Sequence, residues 1–358
     1  MGIAPLPFVI GNRAPEFVGA TASGRFFSLD AQAGRPALIV PLGAVGPEAA
    51  ANLLGRLIAI LPQLSELGVD LLPLAPATMP FTERFSTDRS VIDLLIYLTT
   101  EPEVAFRQLD GAAVAVLIDR SARVVDAFAL GEQTDISQTL ASSIGRVRSS
   151  APTIRSATAP ALIIPNVASP GLCRALIDHF EASPHEAGVM ASFRDGYAHA
   201  KLDESKKKRR DMELTPDSLL HAEVVSLLGA RIAPEIKRVF QTDILNADRI
   251  LIARYDDTGG YFRRHRDNAA PHTAFREFAV SLNLNTDEYE GGELMFAEFD
   301  DDRYNPPAGG AIVFSAALLH EAAPVTKGSR YVLLTFLGGA EAQARHAAWS
   351  ESQNTKVS

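Results

Sequence analysis

The sequence predicts two different folds in one chain: an α/β unit in the N-terminal part, and an antiparallel β-barrel or jelly roll packed on helices in the C-terminal part. Three observations support this prediction. Before residue 146, short apolar runs alternate with a helical pattern; residues 146–160 are rich in Ser, Ala, Thr and Pro; after residue 249, short strand patterns are separated by Gly, Pro, Asn and Asp. A length of 358 residues also fits two domains.

The N-terminal strand candidates are residues 37–40, 69–74, 114–118 and 124–130. Residues 49–67 have the apolar spacing of a helix, and the turn at residues 119–122 joins the last two strands as a hairpin. Strand, helix, strand and hairpin indicate an α/β sandwich. We assign residues 1–146 to this domain and residues 147–160 to a linker, because a segment with so few large apolar side chains buries little. A surface loop within one domain is the alternative.

The C-terminal domain is assigned to residues 161–340. Residues 170–182 and 218–240 have helical patterns, and Pro234 is expected to break the second. The strand candidates are residues 250–255, 277–285, 293–296, 311–314 and 331–336. So many short strands with turn signals favour an antiparallel barrel or jelly roll. The remaining residues, 341–358, are polar or Ala-rich, and we expect this tail to fray.

Composition and charge exclude several classes of protein. A net charge of -9 argues against a general nucleic-acid binder, which needs a basic surface. The single cysteine, Cys173, cannot form an intramolecular disulfide. The first ten residues lack the charged start of a secretory signal, and no apolar run is long enough to cross a bilayer. We therefore expect a cytoplasmic protein without a membrane or nucleic-acid partner.

A candidate metal site lies at residues 255–267, which read YDDTGGYFRRHRD. His265 and Asp267 are two positions apart, and on a strand such residues point to the same face, so both could reach one ion. His320 follows the strand candidate at residues 311–314 after a short turn. Two histidines and one carboxylate on one side of an ion leave its other positions open, as in non-haem Fe(II) oxygenases. For His265 alone, a surface histidine is the alternative.

Arg330 strengthens this interpretation. It lies ten residues after His320, on the next apolar strand candidate. A guanidinium there could pair with the far carboxylate of 2-oxoglutarate through two parallel hydrogen bonds. A solvated residue before an edge strand is the alternative.

The same region resembles the 2-oxoglutarate/Fe(II) dioxygenase superfamily, in particular its prolyl 4-hydroxylase-like branch. The matching residues, in the order and at the spacing of the family, are Arg254, Tyr255, Gly260, Tyr261, His265, Asp267, Asn268, Leu282, Asn283, Leu284, Asn285, Gly291, Gly292, Glu293, Leu294, Pro307, Gly310, Val313, Phe314, His320, Glu321, Pro324, Val325, Gly328, Arg330 and Tyr331. The resemblance implies a double-stranded β-helix, which agrees with the strand candidates.

The resemblance also implies roles for individual residues. His265, Asp267 and His320 would ligate Fe(II), and Arg330 would bind 2-oxoglutarate. Tyr255 matches a family tyrosine that hydrogen-bonds the same carboxylate; a half-buried strand aromatic is the alternative. Gly291 and Gly292 are expected in a tight turn with positive φ, without a chemical role.

The implied activity is hydroxylation of a substrate with O2 and 2-oxoglutarate as co-substrates, succinate and CO2 as co-products, and ascorbate as a candidate reductant. Family resemblance favours a peptidyl residue such as proline, and therefore a protein or peptide partner. A small-molecule hydroxylase and a non-catalytic binding protein that retains the fold are the alternatives. A homodimer is a further expectation.

The N-terminal part resembles peroxiredoxins at residues 11–17, 34–40 and 117–124, which implies a thioredoxin-like fold. Peroxiredoxins carry a reactive cysteine in the loop after the first core strand, but residues 41–48 contain none. Since thiolate chemistry needs a thiol, this domain is expected to be redox-inactive. Cys173, in an apolar helical pattern, is expected to be an inert core residue. The roles that remain for this domain are docking, dimerisation or substrate presentation.

Residues 194–211 match no family motif and contain the basic run Lys206, Lys207, Lys208, Arg209 and Arg210. A solvated loop is one interpretation of this run. A mobile lid that holds an acidic substrate is the other.

Overall fold

The computed structural model describes residues 8–76, 94–99, 113–131, 133–145, 147, 154–155, 157–194, 197–216 and 218–357, and only the backbone at residues 44, 190–194, 197–201 and 352–357. The chain divides into two compact units, residues 1–152 and 153–358. Much of the predicted linker, residues 148–153 and 156, lies outside the described residues, as do the first seven residues.

Within the described part of the N-terminal unit, seven strands form one mixed sheet in the order β2-β1-β5-β4-β3-β6-β7. The strands are β1 Val18–Thr21, β2 Phe26–Ser28, β3 Ala37–Pro41, β4 Asp70–Pro76, β5 Ile96–Leu98, β6 Val114–Ile118 and β7 Val124–Ala129. β3, β4 and β5 are parallel to one another, whereas β6 runs antiparallel to both β3 and β7. The four predicted strands and their hairpin are confirmed.

Among its described residues, the helices of this unit are α1 Leu29–Gln32, α2 Pro47–Ala59, α3 Leu61–Glu66 and α4 Ile136–Ile144. The single helix expected at residues 49–67 is two helices. Pro62 stands in the first turn of α3, where its missing N–H costs no hydrogen bond, and the chain bends at Ile60. Apolar side chains cover both faces of the sheet in two separate clusters. This agrees with the α/β sandwich predicted from the alternation of strand and helix patterns.

The described C-terminal unit is built on two facing antiparallel sheets. The larger has the order β8-β19-β16-β22-β14-β13-β9, and the smaller has the order β12-β15-β20-β18. The strands are β8 Ala161–Ile164, β9 Glu186–Ala187, β10 Met190–Arg194, β11 Tyr197–Lys201, β12 Lys207–Lys208, β13 Arg210–Glu213, β14 Asn246–Asp256, β15 Tyr261–His265, β16 Phe278–Asn283, β17 Glu290–Gly291, β18 Leu294–Met295, β19 Ala311–Ser315, β20 His320–Ala322, β21 Val325–Lys327 and β22 Ser329–Gly338. The predicted jelly roll and its five strand candidates are confirmed.

Strand β14 has one face toward the helices and one toward the barrel interior. Ile250 and Ile252 pack in the core on the helix side, whereas Leu251, Ala253 and Tyr255 pack in the core between the sheets. This alternation follows from the period of two along a strand. It places Tyr255 inside the barrel.

Helices cover the outer face of the larger sheet. They are α5 Pro170–Ala182, α6 Leu219–Leu227, a π-helical turn Leu228–Ile232, and α7 Ala233–Phe240. α5 begins where the Ser169 hydroxyl accepts the Leu172 N–H, and its apolar residues recur at helical spacing toward the core. The expected break at Pro234 is confirmed, because this proline stands in the first turn of α7.

The C-terminal residues form helix α8, Ala340–Val357, so the expectation of a frayed tail is wrong. An Ala-rich segment favours a helix. Two tertiary contacts hold this one: Arg345 pairs with Glu277 at 2.8 Å, and the His346 ring lies 4.2 Å from that of Phe275. In the part of the chain that the structure describes, no helix has the length and apolarity to cross a membrane.

Candidate metal centre

Three elements bring the predicted ligands together. His265 is the last residue of β15 and His320 the first of β20, and the two are direct cross-strand partners. Asp267 lies beyond the end of β15, so the expectation that it shares a strand with His265 is wrong. A hydrogen bond from its backbone N–H to the Ala316 carbonyl, 2.9 Å long, fixes it instead.

The candidate ligand atoms of His265, Asp267 and His320 all lie within 4.8 Å of one another. Asp267 Oδ1 lies 3.4 Å from His265 Nε2, and Asp267 Oδ2 lies 3.5 Å from His320 Nε2. Two imidazoles and one carboxylate can therefore hold one metal ion from one side. That is the donor set of a facial triad, which suits Fe(II).

Backbone carbonyls orient both imidazoles. His265 Nδ1 is 2.7 Å from the Arg263 carbonyl, and His320 Nδ1 is 3.0 Å from the Leu318 carbonyl. With Nδ1–H donated to these oxygens, each ring keeps its Nε2 lone pair for a metal. The sequence alone does not give these contacts.

Burial and neighbouring charges favour the ligating protonation states. Burial alone would raise the pKa of Asp267, but His320 and His265 outweigh it and lower that pKa below its usual value. Burial lowers the pKa of His320, against the opposing effect of Asp267. An ionised carboxylate and a neutral imidazole are the forms that bind metal ions.

Aromatic rings surround the histidines. The Phe262 ring stacks on His265 at 3.4 Å, and the Phe314 ring meets His320 edge-on at 4.7 Å. Phe296, fully buried, lies 6.3 Å from His320. Such an apolar surround limits access of water to a metal site.

Tyr255 and Arg330, in the interior of the same barrel, define a candidate pocket for the co-substrate. Tyr255 on β14 and Arg330 on β22 are direct cross-strand partners, both are at most 3% exposed, and the guanidinium lies 5.3 Å from the Tyr255 ring. Arg330 Nη2 donates to Ser281 Oγ at 3.3 Å and Asn283 Oδ1 at 3.1 Å. Among the described residues, its Nε has no hydrogen-bond partner. A buried cation with a free donor fits the carboxylate of a bound ligand.

Gly292 makes room for Arg330. Its φ is +71°, and an added Cβ would lie 2.9 Å from Arg330 Cδ. Gly291 also has a positive φ, as expected, but it lies in strand β17 and not in a turn. Gly292 therefore shapes the pocket, which the sequence did not indicate.

The basic run is neither a loop nor fully solvated. Lys207–Lys208 is strand β12, and Arg210–Glu213 is strand β13. The Lys207 and Arg209 side chains are 5% and 8% exposed and both pair with Asp211. The solvated-loop interpretation is therefore wrong for these two. All five residues of the run are basic, so its sequence carries no signal that alternate side chains are buried.

Cys173 lies on α5 in the helix-side core, 4% exposed. Burial raises the pKa of its thiol to about 11, so the reactive thiolate is scarce at neutral pH. In the N-terminal unit, the loop after β3 contains the buried Leu42 and no cysteine.

We expect no thiol peroxidase activity, and we expect Cys173→Ala to leave hydroxylation unchanged. Consumption of hydrogen peroxide with dithiothreitol, compared between wild type and Cys173→Ala, measures the first. Peroxide consumption that disappears in the variant would contradict the inert assignment of this thiol.

Residues 250–338 match the family described as the 2OG-Fe(II) oxygenase superfamily. PKHD-type hydroxylases of Methylobacterium nodulans and Paraburkholderia phymatum are each 32% identical, over 186 and 180 residues, or 47% of this chain and 73% of each relative. A PKHD-type hydroxylase of Picosynechococcus is 37% identical over 106 residues, 28% of this chain. The chain spans about half of that relative, 48%.

Two solved structures are similar at low identity. A prolyl hydroxylase from Trichoplax adhaerens, in complex with a hypoxia inducible factor peptide fragment, is 16% identical with a TM-score of 0.44, covering 53% of this chain and 87% of that one. A prolyl-4-hydroxylase from Pseudomonas putida is 18% identical with a TM-score of 0.40, covering 51% and 94%. With PKHD-type hydroxylases as relatives and the family match at residues 250–338, the chain belongs to the 2OG-Fe(II) oxygenase superfamily.

Proposed function

We propose that this protein is an Fe(II)- and 2-oxoglutarate-dependent hydroxylase that acts on a peptidyl residue such as proline. The observation that carries the proposal is the convergence of His265, Asp267 and His320 in the barrel that also buries Arg330. One barrel thus holds both a metal ligand set and a cation for a carboxylate, as this chemistry requires.

In the proposed mechanism, His265, Asp267 and His320 hold Fe(II), and Arg330 with Tyr255 orients 2-oxoglutarate. When bound, these groups and O2 supply an oxidation in which one oxygen atom enters the substrate as a hydroxyl group, while 2-oxoglutarate leaves as succinate and CO2. Phe262, stacked on His265, keeps bulk water from that face of the site. Ascorbate as a reductant stays a prediction.

The peptidyl substrate is supported by the prolyl 4-hydroxylase-like motif order in residues 254–331. Incubation with a proline-containing peptide library, Fe(II) and 2-oxoglutarate tests it by mass spectrometry. A gain of one oxygen atom on a peptide, dependent on 2-oxoglutarate, is the expected product. A hydroxylated product found only among the small molecules of a cell extract would favour a small-molecule hydroxylase. Binding of peptides without release of succinate would favour a non-catalytic binding protein.

For the N-terminal unit we propose a thioredoxin-like fold without redox activity. The parallel β3–β4 pair connected through α2 and α3, next to the antiparallel β6–β7 hairpin, supports it. The bounds proposed for the domains remain residues 1–146 and 161–340. A domain that keeps such a core without its nucleophile can act through its surface, by binding a protein substrate or a second subunit.

A truncated chain that begins at Thr153 tests this role. It keeps the contacts of Arg155 with Asp302, at 2.7 Å, and of the Ala159 N–H with Asp300, at 2.9 Å, which attach the start of the C-terminal unit to its barrel. We expect it to bind metal and 2-oxoglutarate like the full chain. With the protein substrate, we expect a higher KM at similar kcat, because the tethered binding surface is lost.

The comparison is informative if both chains are also assayed with a short peptide around the hydroxylated residue. On that peptide the two should have equal KM, since it is too short to reach a second surface. Equal KM values on the whole protein substrate as well would contradict the proposed docking role.

A further inference from the structure

The buried part of the basic run forms a cluster with one acidic residue: Lys207, Arg209 and Asp211. Arg209 Nε and Nη2 lie 2.7 and 3.2 Å from the two Asp211 carboxylate oxygens, so the guanidinium is held by a two-point ion pair. Lys207 Nζ donates to the Val189 carbonyl at 2.6 Å and lies 3.4 Å from Asp211. Burying two cations beside a single anion costs free energy of desolvation, so we expect this cluster to have a specific function.

Arg209 also reaches the candidate pocket. Its Nη1 donates to the Tyr255 hydroxyl oxygen at 2.7 Å, and its guanidinium lies 5.5 Å from each of the Tyr255 and Phe262 rings. Phe262 in turn stacks on the metal-ligand candidate His265. Arg209 thus contacts the tyrosine predicted for the co-substrate from a position between β12 and β13, outside the family motifs.

The direction of this hydrogen bond determines what Tyr255 can do. A guanidinium only donates, so the phenol oxygen must be the acceptor. The phenol's own hydrogen is then left for a different acceptor. Across the strand pair stands Arg330, whose guanidinium lies 5.3 Å from the Tyr255 ring and would hold a carboxylate.

The close packing around Arg209 fixes its position. An added Cβ on Gly188 would lie 3.0 Å from Arg209 Cγ and 2.9 Å from an Asp211 carboxylate oxygen, so only glycine fits there without displacement. Held by Asp211 and by this backbone, Arg209 can impose one orientation on the phenol.

We propose that Arg209 is a positioning residue that makes the Tyr255 hydroxyl a hydrogen-bond donor to the 2-oxoglutarate carboxylate held by Arg330. The inference rests on the proposed function. It adds a residue to the co-substrate pocket, one that acts through Tyr255 without itself touching 2-oxoglutarate.

The test is calorimetric titration of 2-oxoglutarate into the full chain loaded with Mn(II) in place of Fe(II), so that no turnover occurs. Arg209→Met and Tyr255→Phe are each expected to weaken 2-oxoglutarate about tenfold, the equivalent of one hydrogen bond to a charged group. The double variant should be no weaker than either single variant, because both remove the same interaction. Multiplying effects, or wild-type affinity in Arg209→Met, would overturn the proposal.

Two further variants distinguish positioning by Arg209 from a general charge effect and from a folding defect. Lys207→Met removes a cation from the same cluster without removing the donor to Tyr255, so an equal loss of affinity there would indicate a general charge effect and overturn the positioning role.

If Arg209→Met fails to fold because Asp211 loses its partner, the double variant Arg209→Met with Asp211→Asn is compared with Asp211→Asn alone. The tenfold difference in 2-oxoglutarate affinity is then expected between those two. Equal affinities in that pair would overturn the proposal. Failure of the wild type to bind 2-oxoglutarate at all would instead refute the proposed function.

Discussion

Replacing His265, Asp267 or His320 by alanine is expected to abolish hydroxylation. Each change removes one of the three protein ligands of the candidate metal centre. Since loss of a residue that merely supports a ligand costs roughly 10–100-fold in metal affinity or activity, loss of a ligand should cost more than about a hundredfold. Iron retained after dialysis and succinate released with substrate measure the two effects separately.

Arg264→Ala is the matched control for these variants. Arg264 lies next to His265 in β15, but its side chain is 58% exposed and pairs with Glu321 at 3.2 Å. An exposed pair of this kind contributes about 0–1 kcal/mol, so iron content and turnover should equal those of the wild type. Full turnover in any of the three ligand variants, with iron supplied, would show that the ligand was misassigned.

Much of the barrel could be predicted because its strands carry strong local patterns. β19 begins with the apolar run at residues 311–314, β16 is apolar except for Ser281 and Asn283, and the alternation in β14 separates its two faces. Prediction from local sequence patterns failed for elements whose position depends on tertiary contacts. The C-terminal α8 owes its place to contacts such as Arg345 with Glu277, sixty-eight residues apart, which no local window contains.

The candidate metal centre was predictable in its residues but not in its geometry. The spacing of His265 and Asp267 is the strand spacing of two, yet the strand ends at His265, and a backbone bond to Ala316 brings the carboxylate into place. Arg330 was expected on the next strand and lies in β22, whereas strand β20, which carries His320, was not predicted. Arg209 was missed because it lies in a run of five basic residues. In such a run the sequence does not distinguish the buried side chains from the exposed ones.

Arg330→Ala is expected to raise the KM for 2-oxoglutarate by roughly one to two decades and to change the KM for the hydroxylated substrate little. The lost interaction is a charge-assisted hydrogen-bonded pair in a buried site, worth about 1.5–3 kcal/mol. Arg330→Lys keeps the charge but loses the planar pair of donors, so it should fall between wild type and alanine. Steady-state kinetics with each reactant varied in turn measures both constants.

Arg254→Ala separates the role of Arg330 from a general effect of losing an arginine in these two strands. Arg254 is paired across the sheet with Tyr331, the residue after Arg330, so it points away from the barrel interior, and it pairs with Glu181 at 2.9 Å. Its removal should leave the 2-oxoglutarate KM unchanged. Melting temperatures of all variants show whether the Ser281 and Asn283 groups left unpaired in Arg330→Ala destabilise the fold. If that variant is folded and its 2-oxoglutarate KM equals the wild-type value, a different cation must hold the far carboxylate, and the cross-strand pairing of Tyr255 with Arg330 loses its proposed purpose.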